Sequence, residues 1–121
     1  MHGKTTNSIL AAAYKVHSRL GPGLLESAYK ACLTHELTVA GIPFQAEKML
    51  PATYDNIRID VGYRVDLIVE DCVIVEVKAV EGLLPVHEAQ LLSYLRLSGK
   101  RVGRINFNVA HLRQGIRRRI L

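Results

Sequence analysis

The residue pattern predicts an α/β fold in which a mixed β-sheet is flanked by helices, and three features of the chain lead to it. Residues 7–41 carry apolar side chains at helical spacing, residues 44–80 alternate apolar and polar side chains as strands do, and residues 85–109 return to one helix and one strand. That order suits helices packed on a mixed sheet rather than a helical bundle or a β-sandwich.

The first helix is expected from Asn7 to Leu20, where Ile9, Ala13, Val16 and Leu20 share a face, Thr6 or Asn7 can cap and Gly21 stops the run. After the Gly21-Pro22-Gly23 corner, Leu25, Ala28, Cys32 and Leu37 mark a second helix that ends at Gly41. Strands are expected from Phe44 to Tyr54 and from Ile57 onward, with Asp55-Asn56 as the turn and Pro51 at an edge or bulge. Pro85 opens a third helix as a first-turn proline, Ala89, Leu92 and Leu95 give its apolar face, and Gly99 closes it. A last strand fits Val102 to Val109.

With 121 residues, 49% of them hydrophobic, the chain can bury a core without disulfides, and one domain over residues 1–121 is expected. No apolar stretch approaches the roughly 20 residues that cross a bilayer, and the N-terminal residues lack the apolar core of a signal peptide. A cytoplasmic protein without membrane contact is the expectation. Cys32 and Cys72 show no zinc-type spacing and are expected to be buried free thiols. Of the net charge of +5, Arg113, Arg117, Arg118 and Arg119 supply four, so the basic signal is local to the end of the chain. Those arginines suit phosphate oxygens, and they equally suit a solvated terminus.

The chemistry concentrates between Gly62 and Val80, two strands meeting near Glu70, Asp71 and Cys72. Tyr63, Val65, Leu67 and Val69 alternate with Arg64, Asp66 and Ile68; Val73, Val75, Val77 and Ala79 alternate with Ile74, Glu76 and Lys78. The two apolar faces must meet one core, so the numbers of facing residues must add to an even total. A three-residue connection or a bulge then sets Asp66 opposite Glu76 and Arg64 opposite Lys78. Two carboxylates held close repel unless a cation lies between them, and Mg²⁺ is held by such pairs together with water and phosphate oxygens. Lys78 points to the same side as Glu76, where an ammonium can orient a water or stabilise charge on a phosphate. The same pattern also fits a cross-strand ion-pair cluster on a solvated sheet face.

Asp66 followed by Val75-Glu76-Val77-Lys78 resembles the PD-(D/E)XK motif of restriction-endonuclease-like nucleases, and the helix and strand order is similar to that fold. Gly23-Leu24-Leu25-Glu26-Ser27-Ala28-Tyr29 resembles the signature of the GxxExxY proteins, and residues 7–118 share the likeness, including Gly62–Asp66, Pro85–Gln90 and Ile105–Val109. The resemblance implies Asp66 and Glu76 as metal ligands, Lys78 as the catalytic lysine and Glu26 as a further acidic metal and catalytic residue. It also implies Mg²⁺ or Mn²⁺ as cofactor and nucleic acid, DNA in particular, as substrate. Gln90 and Tyr94 resemble the QxxxY motif of an exonuclease branch and share one helix face at i, i+4, so they are expected to contact substrate with Arg64 and Tyr29. His17 is similar to a helical histidine that ligates metal in related exonucleases, and as a helix-end histidine it equally suits the helix dipole. The small core leaves sequence-specific recognition to a homodimer or a partner. A catalytically silent nucleic-acid-binding or partner-binding module on the same fold is the alternative to a nuclease.

Overall fold

The computed structural model describes residues 3–120, and of residues 60–62 the backbone alone. The expected domain runs over residues 1–121, of which Met1, His2 and Leu121 lie outside the described residues. Helices α1 (Gly3–Leu20) and α2 (Glu26–Val39) come first, followed by strands β1 (Phe44–Tyr54), β2 (Ile57–Val69) and β3 (Val73–Lys78). Then come α3 (Pro85–Ser98), β4 (Arg101–Asn106), a single 3₁₀ turn (Leu112–Gly115) and β5 (Ile116–Arg119). Among the described residues the sheet has five strands in the order β1-β2-β3-β4-β5. Of these, only β3 and β4 are parallel, and α3 makes the crossover between them.

Local chemistry accounts for most boundaries. Helix α1 begins four residues earlier than its apolar stripe suggested, because Thr5 lies one turn before Ile9 on the same buried face. At the end of α2, Gly41 takes φ 73° and Ile42 N donates to Leu37 O at 2.9 Å, which closes the last turn. Asp55 and Asn56 both adopt positive φ and make the two-residue turn between β1 and β2. At Pro51, which has no amide hydrogen to donate, the register shifts between Leu50 and Ala52.

Two boundaries were missed. Strand β4 stops at Asn106, three residues short of the expected end, where the Asn106 side-chain amide accepts from Val80 N and donates to Val80 O. The basic end of the chain is neither a free tail nor a solvated terminus. It is β5, an edge strand paired antiparallel to β4 from Val102↔Arg119 to Ile105↔Ile116. Gly115 makes that docking possible, since a Cβ there would stand 2.0 Å from Asn106 O.

Helices cover both faces of the sheet. Ile9, Ala13, Val16, Tyr29, Leu33 and Leu37 of α1 and α2 pack against Leu67, Val69, Val75, Val77, Ile105 and Phe107. Leu91, Tyr94 and Leu95 of α3 cover Val65, Ile68, Ile74 and Val102 on the opposite face. Fully burying a Leu, Ile or Val is worth about 1.5–3 kcal/mol, so both layers are strongly held. The hairpin face carrying Ile68, Ile74 and Glu76 is therefore a second core and not solvated, which removes the surface ion-pair reading. Cys32 and Cys72 are free and half-buried rather than buried. No helix among the described residues is long and apolar enough to cross a membrane.

Candidate metal and catalytic site

The β2–β3 hairpin has the register that shared burial requires: Val69↔Val73, Ile68↔Ile74 and Leu67↔Val75, joined through Glu70, Asp71 and Cys72. Glu70 and Asp71 supply the positive φ values of the turn, and Cys72 N donates to Val69 O at 3.1 Å. Beyond Leu67 the regular ladder gives way. Asp66 N donates to Glu76 Oε1 at 2.9 Å, and Val77 N donates to Asp66 Oδ2 at 2.8 Å. Each carboxylate thus replaces a ladder carbonyl and is locked by the backbone of the opposite strand. The irregularity also turns β2: Leu67 and Val69 face α1 and α2, whereas Val65 faces α3.

Glu76 is 3% exposed, and burial followed by the charge of Asp66 raises its carboxyl to about 8. The Asp66 amide and the charge of Lys78 pull the other way and leave it only partly compensated. Asp66 Oδ1 meets the ammonium of Lys30 at 2.7 Å, and the same ammonium lies 2.8 Å from Glu47 Oε1. Burial works to lower the pKa of Lys30, but hydrogen bonds to Asp66 and Glu47 outweigh it and hold the amine firmly protonated.

Lys30 and Glu47 are site residues that the sequence reading missed. A signal for Lys30 existed, since it lies four residues after Glu26 and so on the same side of α2. Glu47 gave none: it takes φ 53° inside β1, and only the β1–β2 register sets it across from Asp66.

Lys78 is half-buried at the end of β3, and its ammonium makes no hydrogen bond or ion pair with a described residue. Its carbonyl accepts from Phe107 N at 2.9 Å, and the Asn106 amide fixes the chain just beyond it. Glu26 occupies the first turn of α2, half-buried, one turn before Lys30. Arg64 pairs with Met49 on the β1 side, its guanidinium stands 4.0 Å from Glu47, and the paired β2–β3 ladder ends at Leu67, before it reaches Arg64 and Lys78. Gln90 Nε2 donates to the Tyr94 hydroxyl at 3.0 Å, which donates to Arg64 O at 3.2 Å. Burial, then the charge of Glu76, raises the Tyr94 phenol to about 12.

Two expected ligand contacts are corrected. Tyr29 has no exposed surface: its ring stacks on Phe107 at 4.7 Å, and its hydroxyl donates to Gly21 O at 2.6 Å and accepts from Leu24 N. It pins the glycine corner to the core and offers nothing to a substrate. His17 is buried, and its Nε2 donates to Val109 O at 2.8 Å, so that nitrogen is not available to a metal.

Among the described residues no group of three or more His, Cys, Asp and Glu side chains converges on one point. The arrangement is a carboxylate pair with the ammonium of Lys30 on Asp66 and the charge of Lys78 acting on Glu76. Such a pair suits a hard dication that keeps most of its water, because Mg²⁺ needs only one or two carboxylates when phosphate supplies further oxygens.

The model of the PD-(D/E)XK nuclease superfamily matches residues 3–119. No curated protein and no solved structure matches the chain.

Proposed function

The chain belongs to the PD-(D/E)XK nuclease superfamily, and on that premise we propose that it is a divalent-metal-dependent nuclease hydrolysing phosphodiester bonds in DNA. The observation that carries this is the reciprocal locking of Asp66 and Glu76, which buries two carboxyl groups side by side at a cost that a purely structural pair would not need. Bound Mg²⁺ or Mn²⁺ would supply Lewis acidity toward the scissile phosphate. Asp66 and Glu76 would be the ligands, with Glu26 in the first turn of α2 as the proposed further acid. The ammonium of Lys78, without a partner among the described residues, orients the attacking water and stabilises charge on the phosphate oxygens. Gln90 and Tyr94, expected at the substrate, instead brace the hairpin backbone at Arg64, Tyr94 being buried, while Arg64 itself lies exposed for the substrate strand. The Gly23-x-x-Glu26-x-x-Tyr29 spacing supports placement in the GxxExxY branch, and half-buried free thiols support a cytoplasmic site of action.

A catalytically silent nucleic-acid-binding module is the second reading, favoured by Lys30, which already neutralises Asp66. End-labelled single- and double-stranded DNA incubated with Mg²⁺, Mn²⁺ or chelator separates the two. Metal-dependent cutting by the wild type, lost in Glu76→Gln and in Lys78→Ala prepared identically, is the expected result. Cutting that survives Lys78→Ala refutes the mechanism, and retention of DNA without cutting supports the binding module.

A further inference from the structure

One row of residues crosses the sheet at right angles to the strands. On β1 to β3, continuing the registers, it runs Glu47, Asp66 and Glu76; on β4 and β5 it runs Arg104, the partner of Glu76, and Arg117, the partner of Arg104. The acidic half is the proposed catalytic site. In the basic half, Arg104, Arg117 and Arg119 share the α3 face with the single carboxylate of Glu88, three guanidinium groups against one acid.

The Arg104 side chain is 4% exposed. Its Nε and Nη1 are fully buried and have no hydrogen-bond partner, and Glu88 Oε2 stands 3.6 Å from Nη1, too far for a hydrogen bond. Burial holds this guanidinium below its ordinary proton affinity; the Glu88 charge works against that, and the charges of Arg117 and Arg119 add to it. A buried cation with unused donors is costly, and an apolar side chain of like volume serves a core as well or better. The one carboxylate present, Glu88, is shared with Arg119 and leaves two Arg104 donors without a hydrogen bond. Glu88 sits in the first turn of α3, where the positive helix end adds to the same field. Arg117 is exposed, so the cluster opens to solvent.

We propose that Arg104, Arg117 and Arg119 form a subsite for a backbone phosphate of the nucleic-acid strand, adjoining the phosphate at Asp66 and Glu76, with the Glu88 carboxylate as its placeholder. The proposal rests on the nucleic-acid reading above and adds the residues that set the strand's path. Strands in a sheet are about 4.8 Å apart, so Arg117 lies about 10 Å from Glu76 across the sheet, within reach of a neighbouring phosphate on a strand laid along the row. The planar guanidinium forks match phosphate oxygens two at a time, and the phosphate displaces Glu88 from Arg119.

The test uses the full chain in chelator, so that binding is read without cleavage, and a 12-nucleotide single-stranded DNA as probe. Affinity is followed against salt for the wild type, Arg117→Ala/Arg119→Ala, Glu88→Gln and the remote control Arg19→Ala; the arginine Nε–H resonances are followed by ¹⁵N NMR. The double variant is expected to lose about 0.7–1.4 from the slope of log affinity on log salt, one or two single-strand phosphate contacts. Glu88→Gln is expected to tighten binding severalfold, Arg19→Ala to leave it unchanged, and the Arg104 Nε–H resonance to shift at saturation. A wild-type slope in the double variant, or an Arg104 signal unmoved when the DNA is bound, overturns the subsite and leaves the nuclease reading standing. No binding by the wild type overturns the subsite, and the metal-dependent cutting assay decides the nuclease reading separately.

Discussion

Replacing Glu76 by Gln should stabilise the metal-free protein while it abolishes cutting. In the folded chain the Glu76 carboxyl titrates near 8, against 4.5 as the ordinary value, because it is buried beside Asp66. A group raised by folding gives stability that is fully present below the unfolded pKa and is lost as pH rises through the folded one. At pH 7 the unfolded chain has released the proton that the folded chain still holds. Keeping it there forfeits about 1.4 kcal/mol per pH unit above 4.5, or about 3 kcal/mol. Gln has no proton to lose, its Oε1 can still accept from Asp66 N, and its amide can face the Asp66 carboxylate. Thermal unfolding in chelator at pH 7 should show a Tm about 10 °C above wild type for a chain of this size. The wild type should lose stability between pH 5 and 8.5 in urea titrations, and the variant should lose far less. A variant no more stable than wild type at pH 7, or two parallel pH profiles, would refute the claim that Glu76 is held against its charge.

Three further outcomes follow from other contacts. Lys30→Met removes the ammonium shared by Asp66 and Glu47, and urea denaturation of the chelated protein should show a loss of about 2 kcal/mol, since Asp66 then faces Glu76 without its countercharge. Tyr29→Phe deletes both hydroxyl bonds to the Gly21–Leu24 corner and should cost about 1–2 kcal/mol while DNA cutting per folded molecule stays at the wild-type rate; a selective loss of cutting would restore Tyr29 as a substrate contact. Gly115→Ala drives a methyl to 2.0 Å from Asn106 O, so it should cost about 3 kcal/mol and release β5, read as rapid hydrogen exchange at residues 116–119.

Patterns that depend on neighbours in the chain were legible in the sequence. Helix faces at 3.6-residue spacing, glycine stops and the Asp55-Asn56 turn are set by local sterics and hydrogen bonding, and α2, α3 and the β1–β2 hairpin lie where these put them. The facing of Asp66 and Glu76 was legible too, because burial of alternate residues leaves only an even-sum register. What required the fold is whatever joins distant segments. Lys30 reaches Asp66 from a helix 36 residues earlier, Phe107 covers Tyr29, and the Val109 carbonyl takes the nitrogen of His17. The arginine run read as a tail because a four-residue strand has too little periodicity to announce itself, and only pairing with β4 orders it. Sequence thus determined which residues carry charge and which face of each element they occupy. Tertiary structure decided which charges are paired and which are left uncompensated, because that depends on burial and on partners from segments far apart in the chain.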